Sequence, residues 1–439
     1  MRIEFSRLIF RVVVTVAVLG FAFLVGLFSA HRQNALYDFV YGTYADIRLV
    51  IKEIPNLRKT RPIHFLRKSR YDGDGITVNT FGDDDDSLVL LSGFFKDQNA
   101  VRLMKRNGTV VNEWKVRLFE ATSDVNHCRN PPATEWNAIP HGTIIEPDGS
   151  IIFSFESCMM VKLDKCSKVE WVNEDLITHH SPNFTQTGGI VIAGGELVTP
   201  ENRDIPWPYD GEYWEDFIFI FDKDGSLLKQ KRLTELYTEN GFNPVLTSNG
   251  NFKTEINGEF HLNEVEELSS DLAGDFPMFE AGDLLLSVRN RNLILVVDAA
   301  MEKIKWFHVG PWVRQHDPDF EPGGMITVFD NNTDRTDHGT VSGGSRIIEI
   351  DPVTNVTRVI YGGTPKQHMY SRERGTHQMQ PGGGVLVTEA QGGRVFETDA
   401  AGNTVWEWVN RYDDENVTWM HDASVLPSDY FSGTDWSCS

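Results

Sequence analysis

Six histidines stand at matching points of a repeat. His141, His180, His261, His316, His377 and His421 each open a short segment that leads into a predicted β-strand. His141, His316 and His421 are each followed at one fixed offset by a proline, at Pro147, Pro322 and Pro427. His180 reaches Gly188 at the same offset that joins His141 to Gly149 and His316 to Gly324. His377 departs, with Pro381 two residues early, and His261 is followed by an insertion. If such repeats form a ring, equivalent positions lie at equal radius, and all six imidazoles converge near one axis.

The repeat unit is clearest over 377–410, which reads HQMQP, GVLVTEA, GRVFETDAAG and NTVWEWVN. These are four short strands joined by Gly-containing turns. The same order occurs over 316–363 and 141–173, and with insertions over 180–233 and 261–310. Four strands per unit, with units roughly 40–55 residues apart, predict β-propeller blades. Residues 88–117 supply only three strands, and the missing histidine-led strand stands at the other end as HDASVLP over 421–427. The expected fold is therefore all-β: a six-bladed β-propeller closed by a C-terminal strand, which hides sheet edges, preceded by one N-terminal transmembrane helix.

Val12 to Ala30 carries no charge over 19 residues, enough for a helix to cross a bilayer. Arg2, Arg7 and Arg11 precede it and favour a cytoplasmic N-terminus. The residues before His31 give no small-x-small cleavage site, so an uncleaved signal anchor is expected over a cleaved peptide. Either way the bulk of the chain is exported, to a periplasmic or extracellular side. The expected division is a transmembrane signal anchor over 1–33, a juxtamembrane helix and basic linker over 34–82, and the propeller over 83–439. Pro55 should stop the juxtamembrane helix. Asp83 to Asp86 lacks the alternating ligand spacing of a calcium loop and reads as a solvated turn.

Four cysteines in an exported chain fit two disulfides. Strand direction alternates within a blade, so turns sort by face. Cys128, between blades one and two, shares a face with Cys158 in the second-to-third turn of blade two. Cys166, in the third-to-fourth turn, shares the opposite face with Cys438. The expected pairs are Cys128–Cys158 and Cys166–Cys438. The formal charge of −22 disfavours nucleic acid, and any anionic substrate then needs a locally basic pocket. No cofactor is called for, and no CxxC zinc knuckle is present.

Imidazole suits a nucleophile, a general acid or base, or a metal ligand. The bland reading makes each histidine a peg that hydrogen-bonds a neighbouring blade. His141, His180 and His421 are expected to line the channel. Arg335 follows the second strand after His316, on the mouth where the histidines stand, and a guanidinium there would make an anion pocket. Its rival role is pairing with Asp330 or Asp334.

The segments HDPDFEPGGMITVFDNN (316–332), HGTIIEPDGSIIF (141–153) and HQMQPGGGVLVTEAQGGRVFETDAAGNTVWEWVN (377–410) resemble the arylsulfotransferase family. The likeness spans roughly 88–430. It implies a six-bladed propeller that moves a sulfuryl group from an aryl sulfate to a phenol through a covalently sulfated histidine. By order and motif it implies His377 as nucleophile, with His261, His316 and Arg335 around the sulfate. Trp312, Tyr370 and Trp419 are candidates for an aryl rim. Unlike familiar members, this chain shows a membrane span and basic linker where they carry an extra N-terminal β-domain. The rivals are a membrane-anchored scaffold propeller without turnover and a metal site built from three or four histidines. A quinone-dependent dehydrogenase would need about eight blades, and neither a GxxxxGK[ST] loop nor a Gly-x-Ser-x-Gly elbow occurs.

Overall fold

The computed structural model describes residues 2–32, 35–82, 85–199, 212–246, 260–334, 336–431 and 433–438. They fall into two compact units, Met1–Ile63 and His64–Ser439. In the first, helix Arg2–Arg32 contains the apolar stretch Phe10–Arg32, with a mean hydropathy of 2.6, long enough to span a membrane. A second helix, Ala35–Leu57, runs two residues beyond Pro55, which cannot donate the i→i−4 hydrogen bond at its position.

The second unit is a six-bladed β-propeller. Blade two shows the plan, with antiparallel strands Pro140–Ile145, Ile151–Phe155, Met160–Leu163 and Val169–Asn173 from axis to rim. Blades three, four and five begin with Thr178–Phe184, Leu262–Glu267 and His316–Glu321. Blade six begins with Thr376–Met379. In blade one the first strand is Met420–Leu426, paired antiparallel with Leu88–Phe95, so that sheet draws on both ends of the unit.

Burial explains which residues form which strand. Second strands such as Ile151–Phe155 are apolar and buried throughout, because neighbouring blades cover both faces. Fourth strands such as Leu227–Arg232 are polar and mostly exposed at the rim. Each junction between adjacent blades holds its own apolar core. Blade six, for example, packs Leu386, Val395 and Trp406 against Val89, Leu91 and Met104 of blade one.

Two features depart from the linker expected over 34–82. Leu66–Lys68 pairs with Asn416–Thr418, and Gly75–Asn79 adds a fifth strand to the rim of blade six. The turn at Asp85 is not simply solvated, because its carboxylate pairs with Arg106 at 2.8 Å. The disulfides Cys128–Cys158 and Cys166–Cys438 are both formed.

Candidate functional site at the propeller axis

The innermost strands bring histidines together, but not by one shared register. Ladder pairing shifts where the inner strands of blades one to five meet their neighbours. His141, His180 and His421 lie within such bulges, His316 immediately precedes one at Asp317, and His261 comes just before its strand. Blade six has no shift, and His377 pairs directly with Val387. A bulge re-aims side chains, which lets residues one or two positions apart face one point.

His180 is the hub. Its ring centroid lies 4.5 Å from His141, 4.9 Å from His261, 4.9 Å from His179 and 6.1 Å from His316. His180 and His261 hold positive φ angles of 66° and 59°, and Asp317 and Arg374 nearby hold 51° and 62°. Such a backbone costs about 1–3 kcal/mol per non-glycine residue and persists only where packing enforces it.

Proton positions follow from the contacts. His179 Nε2 faces the buried carboxylate of Asp216 at 3.5 Å, and His179 Nδ1 lies 2.7 Å from His180 Nδ1. One Nδ1 donates to the other, and a proton on His179 Nε2, the nitrogen that faces Asp216 Oδ1, would make His180 Nδ1–H the donor. His180 Nε2 then carries a lone pair. Burial, then the neighbouring imidazoles of His141, His179, His261 and His316, hold His180 well below the usual histidine range. Burial likewise depresses His261, and among the described residues the buried His261 Nε2 has no hydrogen-bond partner.

Two of the expected residues are committed elsewhere. His316 Nδ1 donates to Asn331 Oδ1 at 2.6 Å, and its Nε2 accepts from the Arg374 backbone N–H at 3.3 Å. His421 Nε2 donates to Asn99 Oδ1 at 3.0 Å, and its Nδ1 faces Arg374 Nη1 at 3.5 Å. Both are pegs between blades, the bland role weighed for each. Mainly through burial, His316 is depressed to about 3 and His141 to about 4.

The cations differ from those expected. Arg335 lies outside the described residues. Arg374, three residues before His377, donates to the Pro140 carbonyl at 2.9 Å and to the Glu156 carboxylate. Glu156 also stands 3.6 Å from His141 Nε2. Burial opposes ionisation of Glu156, but Arg374 and His141 outweigh it and hold the carboxyl well below the usual range. On the other side Arg289 acts electrostatically on His261 and His316. Burial and the charge of Arg314 push Arg289 down to about 10, so it stays charged at neutral pH. Arg289 directly follows the second strand of blade four, the position type that singled out Arg335. Arg374 lay in plain view in SRERGTHQMQP without a spacing to mark it.

His377 stands apart. Among the described residues its ring touches none of the other histidines. Its Nδ1 lies 2.9 Å from Asp317 Oδ2 and its Nε2 is 3.6 Å from Asp319 Oδ2. Of the aryl-rim candidates, Trp419 borders the site, with the Arg374 guanidinium 5.5 Å and that of Arg67 4.6 Å from its ring. Trp312 is buried and donates to the Asn292 carbonyl. Tyr370 helps line a pocket of about 360 Å³ together with Arg67, Arg70 and Arg372. A metal held by the clustered histidines finds no support. Among the described residues no three of them bring donor atoms within 4.8 Å of one another.

Ring and axis thus define a six-bladed propeller with a site of neutral imidazoles framed by two guanidinium groups. The arylsulfotransferase (ASST) family model matches residues 143–411, and the chain belongs to that family. No curated protein matches it in sequence. Similar solved structures include a protein of unknown function from Bacteroides caccae, at 10% identity and TM-score 0.48 over 77% of this chain and 98% of that one. Another is a virginiamycin B lyase from Staphylococcus aureus, at 11% identity and TM-score 0.41 over 79% and 88%. Likenesses this distant carry no functional argument.

Proposed function

We propose that the protein transfers a sulfuryl group from an aryl sulfate to a phenol through an N-sulfo histidine, and that His180 Nε2 carries the group. The observation that supports this is the Asp216–His179–His180 chain, which leaves a lone pair on Nε2 at the centre of the cluster. In the first half-reaction that lone pair attacks sulfur, and the bond from sulfur to the aryl oxygen breaks. The phenolate leaves and takes up a proton. The Nδ1 proton of His180 moves toward His179, whose charge Asp216 balances, so the sulfated ring stays neutral. In the second half a phenol loses its proton to solvent and its oxygen attacks sulfur; the bond to nitrogen breaks, its electron pair returns to Nε2, and His179 gives the proton back to Nδ1. The loose transition state spreads charge over the peripheral oxygens, where Arg289 and Arg374 supply cationic stabilisation.

A second reading keeps the family-implied nucleophile, His377. Its Nδ1 contact with Asp317 favours a tautomer whose Nε2 carries the lone pair and has no hydrogen bond among the described residues. The neighbouring Asp319 disfavours an approaching sulfate there. The helix over Phe10–Arg32 is proposed to anchor the protein in a bilayer. The disulfides favour an oxidising side for the propeller, periplasmic or extracellular.

The test is turnover of a chromogenic aryl sulfate with a phenol by wild type, His180→Asn and His377→Asn. Loss in His180→Asn with activity kept in His377→Asn supports the first reading, and the reverse supports the second. No turnover in wild type would favour a scaffold propeller.

A further inference from the structure

Below the cationic mouth the channel reverses sign. Glu264 and Glu266 come from the first strand of blade four, Asp317, Asp319 and Glu321 from that of blade five, and Asp422 from that of blade one. Asp317 lies within electrostatic reach of Glu264, Glu266, Asp319 and Asp422. Among the described residues none of these carboxylates pairs with a lysine or arginine. The basic group that meets them is His377, whose side chain is fully buried. Gathering carboxylates out of water with one imidazole as counter-charge is costly unless they take up protons or a cation joins them.

Several of their oxygens are nonetheless placed by the protein. Glu264 accepts from Asn183 Nδ2 at 2.6 Å, Glu266 from the Phe320 N–H at 2.8 Å, and Asp422 from Thr376 Oγ1 at 2.8 Å. Asp319 accepts no hydrogen bond among the described residues. Its neighbour is His377 Nε2 at 3.6 Å, a buried nitrogen that itself has no hydrogen-bond partner among the described residues. Two ligands about 2.1 Å from one ion stand roughly 3.0–3.4 Å apart, so a closure of a few tenths of an ångström would make this a ligand pair.

We propose that the throat of the propeller binds one divalent first-row metal ion through His377 Nε2 and the Asp319 carboxylate. Asp317 is the positioning residue, because its contact with Nδ1 keeps that nitrogen protonated and turns the Nε2 lone pair toward the ion. Mixed nitrogen and oxygen ligation suits Mn²⁺ or Zn²⁺ better than Ca²⁺, which takes oxygen alone. The straight pairing of blade six makes the geometry, since an unbulged ladder sets His377 opposite Val387. The ion would pin blade five to blade six from within the channel. This inference rests on His377 being a ligand, so it stands apart from the first reading of function and competes with the second.

The experiment uses the whole chain, purified in detergent without chelator. Its metal content is measured, and EDTA-treated protein is titrated calorimetrically with MnCl₂ and with ZnCl₂. One ion per chain is expected. Asp319→Asn and His377→Gln should abolish binding, and Asp317→Asn should weaken it about 10–100-fold. His180→Asn should bind normally, which separates this site from the transfer reaction. Circular dichroism of each variant checks that loss of binding is not loss of fold. Absence of binding by wild type, or binding that survives both ligand substitutions, would overturn the proposal. An N-sulfo adduct on His377 would overturn it as well.

Discussion

Arg374 reaches from the turn ahead of blade six to Glu156 at the end of the second strand of blade two, 218 residues away in the chain. The same guanidinium holds the Pro140 carbonyl, and the Arg374 backbone N–H holds His316. One residue thus ties the inner strands of blades two and five to the turn ahead of blade six while presenting a charge to the mouth.

Replacing Arg374 with alanine should lower kcat/KM for an aryl sulfate by about 10²–10³, the usual cost of losing one transition-state donor. Glu156→Gln leaves that charge less neutralised and should lower KM for the anionic donor. Steady-state kinetics on both variants decide this, and an unchanged Arg374→Ala enzyme would remove the guanidinium from the account.

Asp216 sets the proton pattern of His179 and His180 without touching the reacting atoms. Asp216→Asn should therefore reduce kcat more than it changes KM. The alkaline limb of the rate profile should shift as well, because the His179 tautomer is no longer fixed. Equal pH profiles in both proteins would reduce Asp216 to a packing role.

Falling pH acts on the propeller through two opposed sets of buried groups. His141 and His316 are held near 4 and 3, against about 6.5 in an unfolded chain, so the unfolded state takes up their protons first. Their stabilisation is complete above about pH 6.5 and falls by about 1.4 kcal/mol per histidine per pH unit as pH drops toward the folded values. Glu215 acts the other way. Burial raises it to about 7, so its contribution is full below about pH 4.5 and is lost as pH rises through 7. Burial raises further acids in the same way, Glu264, Glu266, Asp319 and Asp422 among them, so the two sets oppose each other and the histidine part is read by difference. Between about pH 6.5 and 4.5 His316→Gln should lose about 1.4 kcal/mol per pH unit less than wild type, measured from denaturant midpoints, and an equal loss in both proteins would contradict a neutral, buried His316.

Cys166–Cys438 joins residues 272 apart. Trp436, just before Cys438, packs edge-on against Trp114 at 5.8 Å. Removing the bridge with Cys166→Ser and Cys438→Ser should cost about 2–4 kcal/mol, read from denaturant midpoints. No change would mean that Trp436 packing alone holds the tail.

The blade count and the strand starts were legible because turn prolines and glycines recur at fixed offsets from the histidines. The cysteine pairs were legible because strand alternation sorts turns by face. Register at the axis was not. A bulge inserts residues without disturbing the apolar pattern, so His316 and His421 look equivalent in sequence although one precedes a bulge and the other lies inside one. Arg374 and Asp216 escaped notice because each acts across the ring, where chain distance says nothing. Leu66–Lys68 and Gly75–Asn79 are short and lack a continuous apolar run, so nothing in their composition separated edge strands from linker.

The central claim is that one imidazole nitrogen at the mouth becomes covalently sulfated. The most direct measurement mixes the protein with an aryl sulfate in the absence of a phenol, quenches at alkaline pH, and maps the peptides by mass spectrometry. The account predicts one added sulfuryl group on the peptide containing His180, discharged when a phenol is added. An adduct on another histidine, or turnover without any adduct, would contradict it.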